Sequence, residues 1–308
     1  MDTKKMMIGG QAVIEGVMMR SPNFYSVAVR RKSGDIDIKT EPFKTITKKF
    51  KILAKPFLRG IVSLIEMMIL GIKTLTYSAD IYALDFEEDE NKKTQRKSDS
   101  MSWEIVLSLV LAFGFGILLF VLLPLWLTNF SKKFFEIANQ SFVYNLIDGI
   151  FRLVIFLAYV VAISFMKDIQ RVFEYHGAEH MVVYSNENNE DLTLENAKKY
   201  TTLHPRCGTN FMLIVIILGI FVISVFKADT FLQKFLIRII VIPIIASISY
   251  EIIRFLGENY DKKNWVRIFF APGLMLQKLT TNQPDDSQIE VAIAAMKAVI
   301  NKETEEKI

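Results

Sequence analysis

WEIVLSLVLAFGFGILLFVLLPLWL, residues 103–127, carries no charge after Glu104. A helix needs about 20 apolar residues to cross a bilayer, and this run is longer. Trp103 and Trp126 bracket it, as aromatic side chains do at the two membrane interfaces. Three further apolar runs follow, at about residues 142–166, 211–226 and 231–256. The fold class is therefore mainly α, a polytopic membrane protein with an expected four transmembrane helices. Asp148 and Arg152 interrupt the second run at a spacing that lets them pair on one helix face. Arg238 lies near one end of the fourth run, with Glu251 and Arg254 near the other.

Charge orients these spans. Arg96, Lys97, Lys167, Arg171, Arg206, Arg254, Lys262 and Lys263 flank one set of ends. Lys132, Lys133, Lys227 and Lys234 are the fewer cations on the other. By the positive-inside rule both termini and the loop at 167–210 face the cytoplasm, and the lipid bilayer is the expected partner. The net charge of +4 gives no reason to expect a nucleic-acid partner. One cysteine excludes an internal disulfide framework. The start of the chain has no apolar core of signal-peptide length, so no cleaved leader is expected.

Outside the spans the chain divides into four pieces. Residues 1–55 form a β-hairpin region, with SVAVRR and IDIKT alternating about the turn KSGD. Residues 56–84 read as an amphipathic helix, either interfacial or packed on the bundle. Arg59, Glu66, Lys73 and Asp80 recur every seventh residue, too many charges for a lipid-facing span. Residues 85–102 form a charged linker. Residues 257–308 are a cytoplasmic helical region, in which Asp286 or Ser287 caps a helix with Ile289, Ala292, Ile293, Met296 and Ile300 on one face.

The candidate chemistry lies between the second and third spans. All three histidines, His176, His180 and His204, and the single cysteine, Cys207, fall between positions 176 and 207. Imidazole nitrogen and thiolate sulfur are the commonest ligands of zinc. His176, Glu179 and His180 form an H-x-x-E-H string. On a helix its histidines stack on one face and its glutamate can act as general base toward water at a divalent metal. His204-Pro-Arg-Cys207 offers His204 as a third ligand and Cys207 as a fourth. Four ligands make a closed structural site, whereas three leave a position for catalysis. Polar capping of the helix bundle without metal is the remaining alternative. Arg206 is either an anion-binding group or a membrane-surface anchor, and the lone acid Glu15 either a turn residue or a site residue.

GGQAVIEGVMMRSP, FLRGIVSLIEMM, YHGAEHMVVYSNEN, LHPRCGTNF, SYEIIRF and PGLMLQKLTTNQPDDSQIEVAIAAM together resemble the YqhQ-like family over about residues 8–300. Its members are multi-pass bacterial membrane proteins described as predicted metal-dependent enzymes. The resemblance implies a plasma-membrane location and a metal cofactor. It also implies that Glu15, Arg59, Glu66 and Glu251, which sit in matching blocks, approach the His/Cys loop. The expected function is metal-assisted hydrolysis at the cytoplasmic membrane surface, on an unknown substrate or protein partner. The alternative expectation is a zinc-clipped scaffold, transporter or assembly factor without catalysis.

Overall fold

The computed structural model describes residues 8–87, 103–134, 141–228, 230–260 and 262–306. Most of the expected linker, from residue 88 to 102, lies outside the described residues. The chain opens with four strands, β1 (Gly9–Val13), β2 (Gly16–Arg20), β3 (Phe24–Arg30) and β4 (Ile36–Pro42), in an antiparallel meander of order β1-β2-β3-β4. The β3–β4 pair is the hairpin that alternation predicts. The β1–β2 hairpin is an addition to it. Its turn escapes notice because the left-handed position is held by Glu15, at φ 51°, where glycine is the usual signal. Arg171 and the Tyr175 hydroxyl bind the Glu15 carboxylate and hold the turn against the helix behind it.

Alternation along the strands gives the sheet two apolar faces. Met18, Tyr25, Val27 and Val29 face one way and pack with Leu70 and Ile81 of α2 (Leu58–Glu87). Val17, Met19, Phe24 and Ala28 face the other and pack with α6 (Lys167–Glu187) and α11 (Asp286–Glu305). The result is a sheet between two helical layers. A short helix, α1 (Ile46–Lys49), and a tight turn at Lys51–Ala54 lead into α2. Three of the four charges in the heptad stripe of α2 pair with other elements. Arg59 forms an ion pair with Glu251, Glu66 accepts from Thr45 at 2.8 Å and from the Ile46 N–H at 2.6 Å, and Lys73 meets Glu41 at 2.6 Å.

The apolar helices are α3 (Trp103–Ile117), α4 (Leu123–Ser131), α5 (Ser141–Ser164), α8 (Gly208–Ser224) and α9 (Phe231–Asn259). α3 runs into α4 through a π turn at Leu118–Leu122, beside Pro124, which has no N–H to give the helical ladder. Among the described residues, three stretches are long and apolar enough to cross a membrane, namely Val106–Ser131, Phe142–Ser164 and Phe231–Asn259; α8 is shorter. Asp148 accepts from Arg152 at 3.1 Å as the spacing predicts. It also meets Arg238 of α9 at 2.7 Å, which ties α5 to α9.

A four-residue helix, α7 (Leu194–Ala197), lies between α6 and α8, and α10 (Asn264–Thr280) follows α9. α10 buries Val266, Phe270 and Leu276 and leaves Ile268, Phe269 and Met275 exposed. It carries the chain back to α6. The cap of α11 is Asp285, one residue earlier than predicted. Its carboxylate accepts from the Gln288 N–H and the Gln288 side chain accepts from the Asp285 N–H, each at 2.9 Å.

Candidate metal centre

His176, Glu179 and His180 sit at i, i+3 and i+4 of α6, so one face presents all three. Gly177 lies between them for a steric reason. A Cβ at this position would stand 2.2 Å from the backbone carbonyl oxygen of Asn282. The segment after α10 runs this close because the Asn282 N–H donates to the Phe173 carbonyl at 2.9 Å. That approach delivers the Thr280 carbonyl to His176 Nδ1 at 2.8 Å. On the other side the Thr202 carbonyl meets His180 Nδ1 at 2.5 Å. Each carbonyl fixes its imidazole with Nδ1 protonated, leaving Nε2 as the free ligand atom.

Cys207 caps the start of α8, and its Sγ lies 3.2 Å from His176 Nε2. One ligand atom each from His176, His180 and Cys207 lie within 4.8 Å of one another. Thr209 Oγ1 donates to the same sulfur at 3.3 Å. Burial lowers the pKa of His180, which favours the neutral imidazole that binds metal. Two nitrogens and one thiolate, with the imidazoles already oriented, suit zinc.

His204 stands apart from this group of three. Its Nδ1 accepts the Arg206 backbone N–H at 3.2 Å, which places the proton of the neutral ring on Nε2. That Nε2 is buried without a hydrogen-bond partner, 3.5 Å from the Glu187 carboxylate. Gln277 anchors the His204 backbone by bonding both its N–H and its carbonyl at 2.8 Å. Arg206 is paired with Glu187. Burial raises the pKa of Glu187, but its neighbours His204 and Arg206 outweigh that and hold the carboxylate charged.

Glu179 is 6% exposed. Burial pushes its carboxyl up to about 7, against the lowering effects of His176 and of the Gly10 N–H. Gly10 is required here, because a Cβ would stand 2.6 Å from the Met18 carbonyl oxygen and 2.8 Å from Glu179 Cγ. The three groups of α6 open onto a cleft of about 560 Å³. Ile8–Ala12 of the first strand region form one wall and His204 with residues 206–209 another.

The remaining expected site residues divide between the cleft and other parts of the fold. Arg206 lines the cleft, whereas Glu15, Arg59, Glu66 and Glu251 are not among its lining residues. They hold the β1–β2 turn, the α2–α9 contact and the start of α1 in place. Gly10, Glu187, Gln277 and the carbonyls of Thr202 and Thr280 are site groups that the sequence reading does not find. A backbone carbonyl carries no residue signature, and Gln277 lies in a polar stretch resembling any helix end.

A family model described as a protein of unknown function (DUF1385) matches residues 55–302. The uncharacterized protein YqhQ of Bacillus subtilis (strain 168) is 36% identical over 298 residues, covering 96% of this chain and 92% of that protein. No solved structure matches the chain. The matched length takes in α2, every apolar helix and all the His, Cys and Glu residues of the cleft, and the chain belongs to the YqhQ-like family.

Proposed function

We propose that this protein is a zinc-dependent hydrolase of the plasma membrane, with its site on the cytoplasmic surface. The observation that carries the reading is the convergence of His176, His180 and Cys207 beside a buried Glu179 at an open cleft. His176, His180 and Cys207 would hold the zinc, which would supply Lewis acidity to the bond being cleaved and to the attacking water. Glu179 takes a proton from that water and returns it to the leaving group, a task favoured by its raised pKa. The overall change adds water across one bond without oxidation or reduction.

A structural zinc clip needs a closed shell of four ligands. The placement of His204 outside the group of three favours the open site. Four crossings remain the topology that fits this function. α8 spans about 26 Å at about 1.5 Å per residue, a little short of a core about 30 Å thick. It packs between α5 and α9, which supports its counting as the fourth crossing. The cation-rich helix ends then share one side with the cleft.

Elemental analysis of purified wild type, Glu179→Gln and Cys207→Ala decides the matter. We expect stoichiometric zinc in wild type and Glu179→Gln, with turnover in the latter reduced by roughly 10²–10⁴-fold. Cys207→Ala is expected to lose zinc while staying folded. Wild type without zinc would sink the proposal. Unfolding of Cys207→Ala would point to the structural clip instead.

A further inference from the structure

Strand β1 is an edge of the sheet, hydrogen-bonded to β2 on one side only. In an antiparallel pair, successive residues aim their backbone groups alternately at the partner strand and away from it. The Arg30 N–H donates to the Glu15 carbonyl, so Glu15, Val17 and Met19 aim at β3; Gly10, paired with Met19, therefore aims away from β2, toward the Glu179 side chain of α6. By the same alternation the N–H and carbonyl of Ala12, two residues on, also aim outward. Gly10 and Ala12 both line the cleft beside the metal-ligand group. Among the described residues, neither Ala12 backbone group nor the Gly10 carbonyl has a recorded backbone partner. Exposed edges are ordinarily blunted by charged side chains, proline or bulges. This one lies against α6 at Gly10 and carries only glycine and alanine at its outward-aiming positions in the cleft; a Cβ at Gly9 would meet nothing within 4 Å.

We infer that the substrate is a polypeptide, bound in extended form as an added antiparallel strand along β1. The inference rests on the hydrolase reading above and names the substrate class. One substrate residue exchanges both backbone hydrogen bonds with Ala12, and the N–H two residues along donates to the Gly10 carbonyl. This places a backbone amide across the cleft from Glu179. Cleavage breaks the C–N bond. Water oxygen bonds to the carbonyl carbon, the proton removed through Glu179 goes to the leaving nitrogen and the second proton of the water follows it, giving a carboxylate and an ammonium group. Backbone pairing by residues this small selects extended conformation, not one side chain.

The test uses full-length, zinc-loaded Glu179→Gln protein in nanodiscs, so that bound peptide persists. Fluorescein-labelled random-sequence dodecapeptides are the probe, read by anisotropy. Ala12→Pro removes the outward N–H without touching the β1–β2 ladder, a position where an edge strand tolerates proline. Binding is expected to weaken about tenfold or more with zinc content unchanged. The same peptides with backbone N-methyl groups at alternate residues should lose binding to the protein without the Ala12 change, which covers the case in which Ala12→Pro fails to fold. Equal binding of plain and N-methylated peptides would overturn the edge pairing. So would zinc-loaded protein that ignores peptides but hydrolyses phosphatidylglycerol vesicles, which would leave the hydrolase reading intact. Peptide binding that depends on Ala12 in a protein without zinc would support the pairing and remove the hydrolase.

Discussion

Gly177 shows how one residue couples helix geometry to the ligands on either side of it. In an isolated helix, alanine would be favoured over glycine by about 1 kcal/mol. Here its methyl group would meet a backbone carbonyl at 2.2 Å, and backbone cannot rotate aside as a side chain can. Overpacking of this kind costs about 1–3 kcal/mol. The displaced segment also carries the Thr280 carbonyl that orients His176. Gly177→Ala is therefore expected to lower the thermal midpoint and to weaken zinc binding by roughly 10–100-fold, measured by competition with a chelating dye. Unchanged affinity would mean that the carbonyl does not position the imidazole. The H-x-x-E-H spacing was legible in the sequence because helical periodicity is local. The need for glycine within it was not, because the obstructing atom belongs to Asn282, over a hundred residues away.

At the scale of elements, α2 shows what a heptad of charges is for. The sequence leaves this helix either interfacial or packed on the bundle. The structure uses Arg59, Glu66 and Lys73 as three pegs into α9, the start of α1 and β4. Glu41 receives Lys39, Lys73 and the Tyr25 hydroxyl. Burial opposes its ionisation, yet these partners hold its carboxyl at about 2, below the ordinary 4.5. The native state thus binds fewer protons than the unfolded chain in that interval. Its contribution is complete above the ordinary value and fades as pH falls toward about 2. Thermal unfolding scans between about pH 5 and about pH 3 should show a midpoint falling with pH, and Glu41→Gln should reduce that slope. An unchanged slope would place the acid sensitivity elsewhere. α10 was hidden in the sequence by Pro272 and by its mixed polarity. Its close approach to α8, where a Cβ at Gly273 would overlap Asn210 Oδ1, becomes visible only after folding.

For the whole molecule, the proposed topology puts the sheet, the cleft and α11 on the cytoplasmic side. Impermeant maleimide should label Lys227→Cys in intact cells and label Asn188→Cys only after permeabilisation; both positions are exposed and native Cys207 is buried. The reverse pattern would invert the protein and move the candidate centre outside.

What the sequence determined by itself was whatever repeats over a few residues. Apolar runs announced the helices long enough to cross a membrane, alternation announced β3 and β4, and one helical turn placed His176, Glu179 and His180 together. The tertiary structure decided which distant groups join them. It brought Cys207 to the two imidazoles, turned the free Nε2 of His204 toward Glu187, and set the edge of β1 against α6. Periodicity fixes directions within an element, whereas convergence of separate elements depends on close packing at small residues such as Gly10, Gly177 and Gly273, and on the bonds made by Gln277.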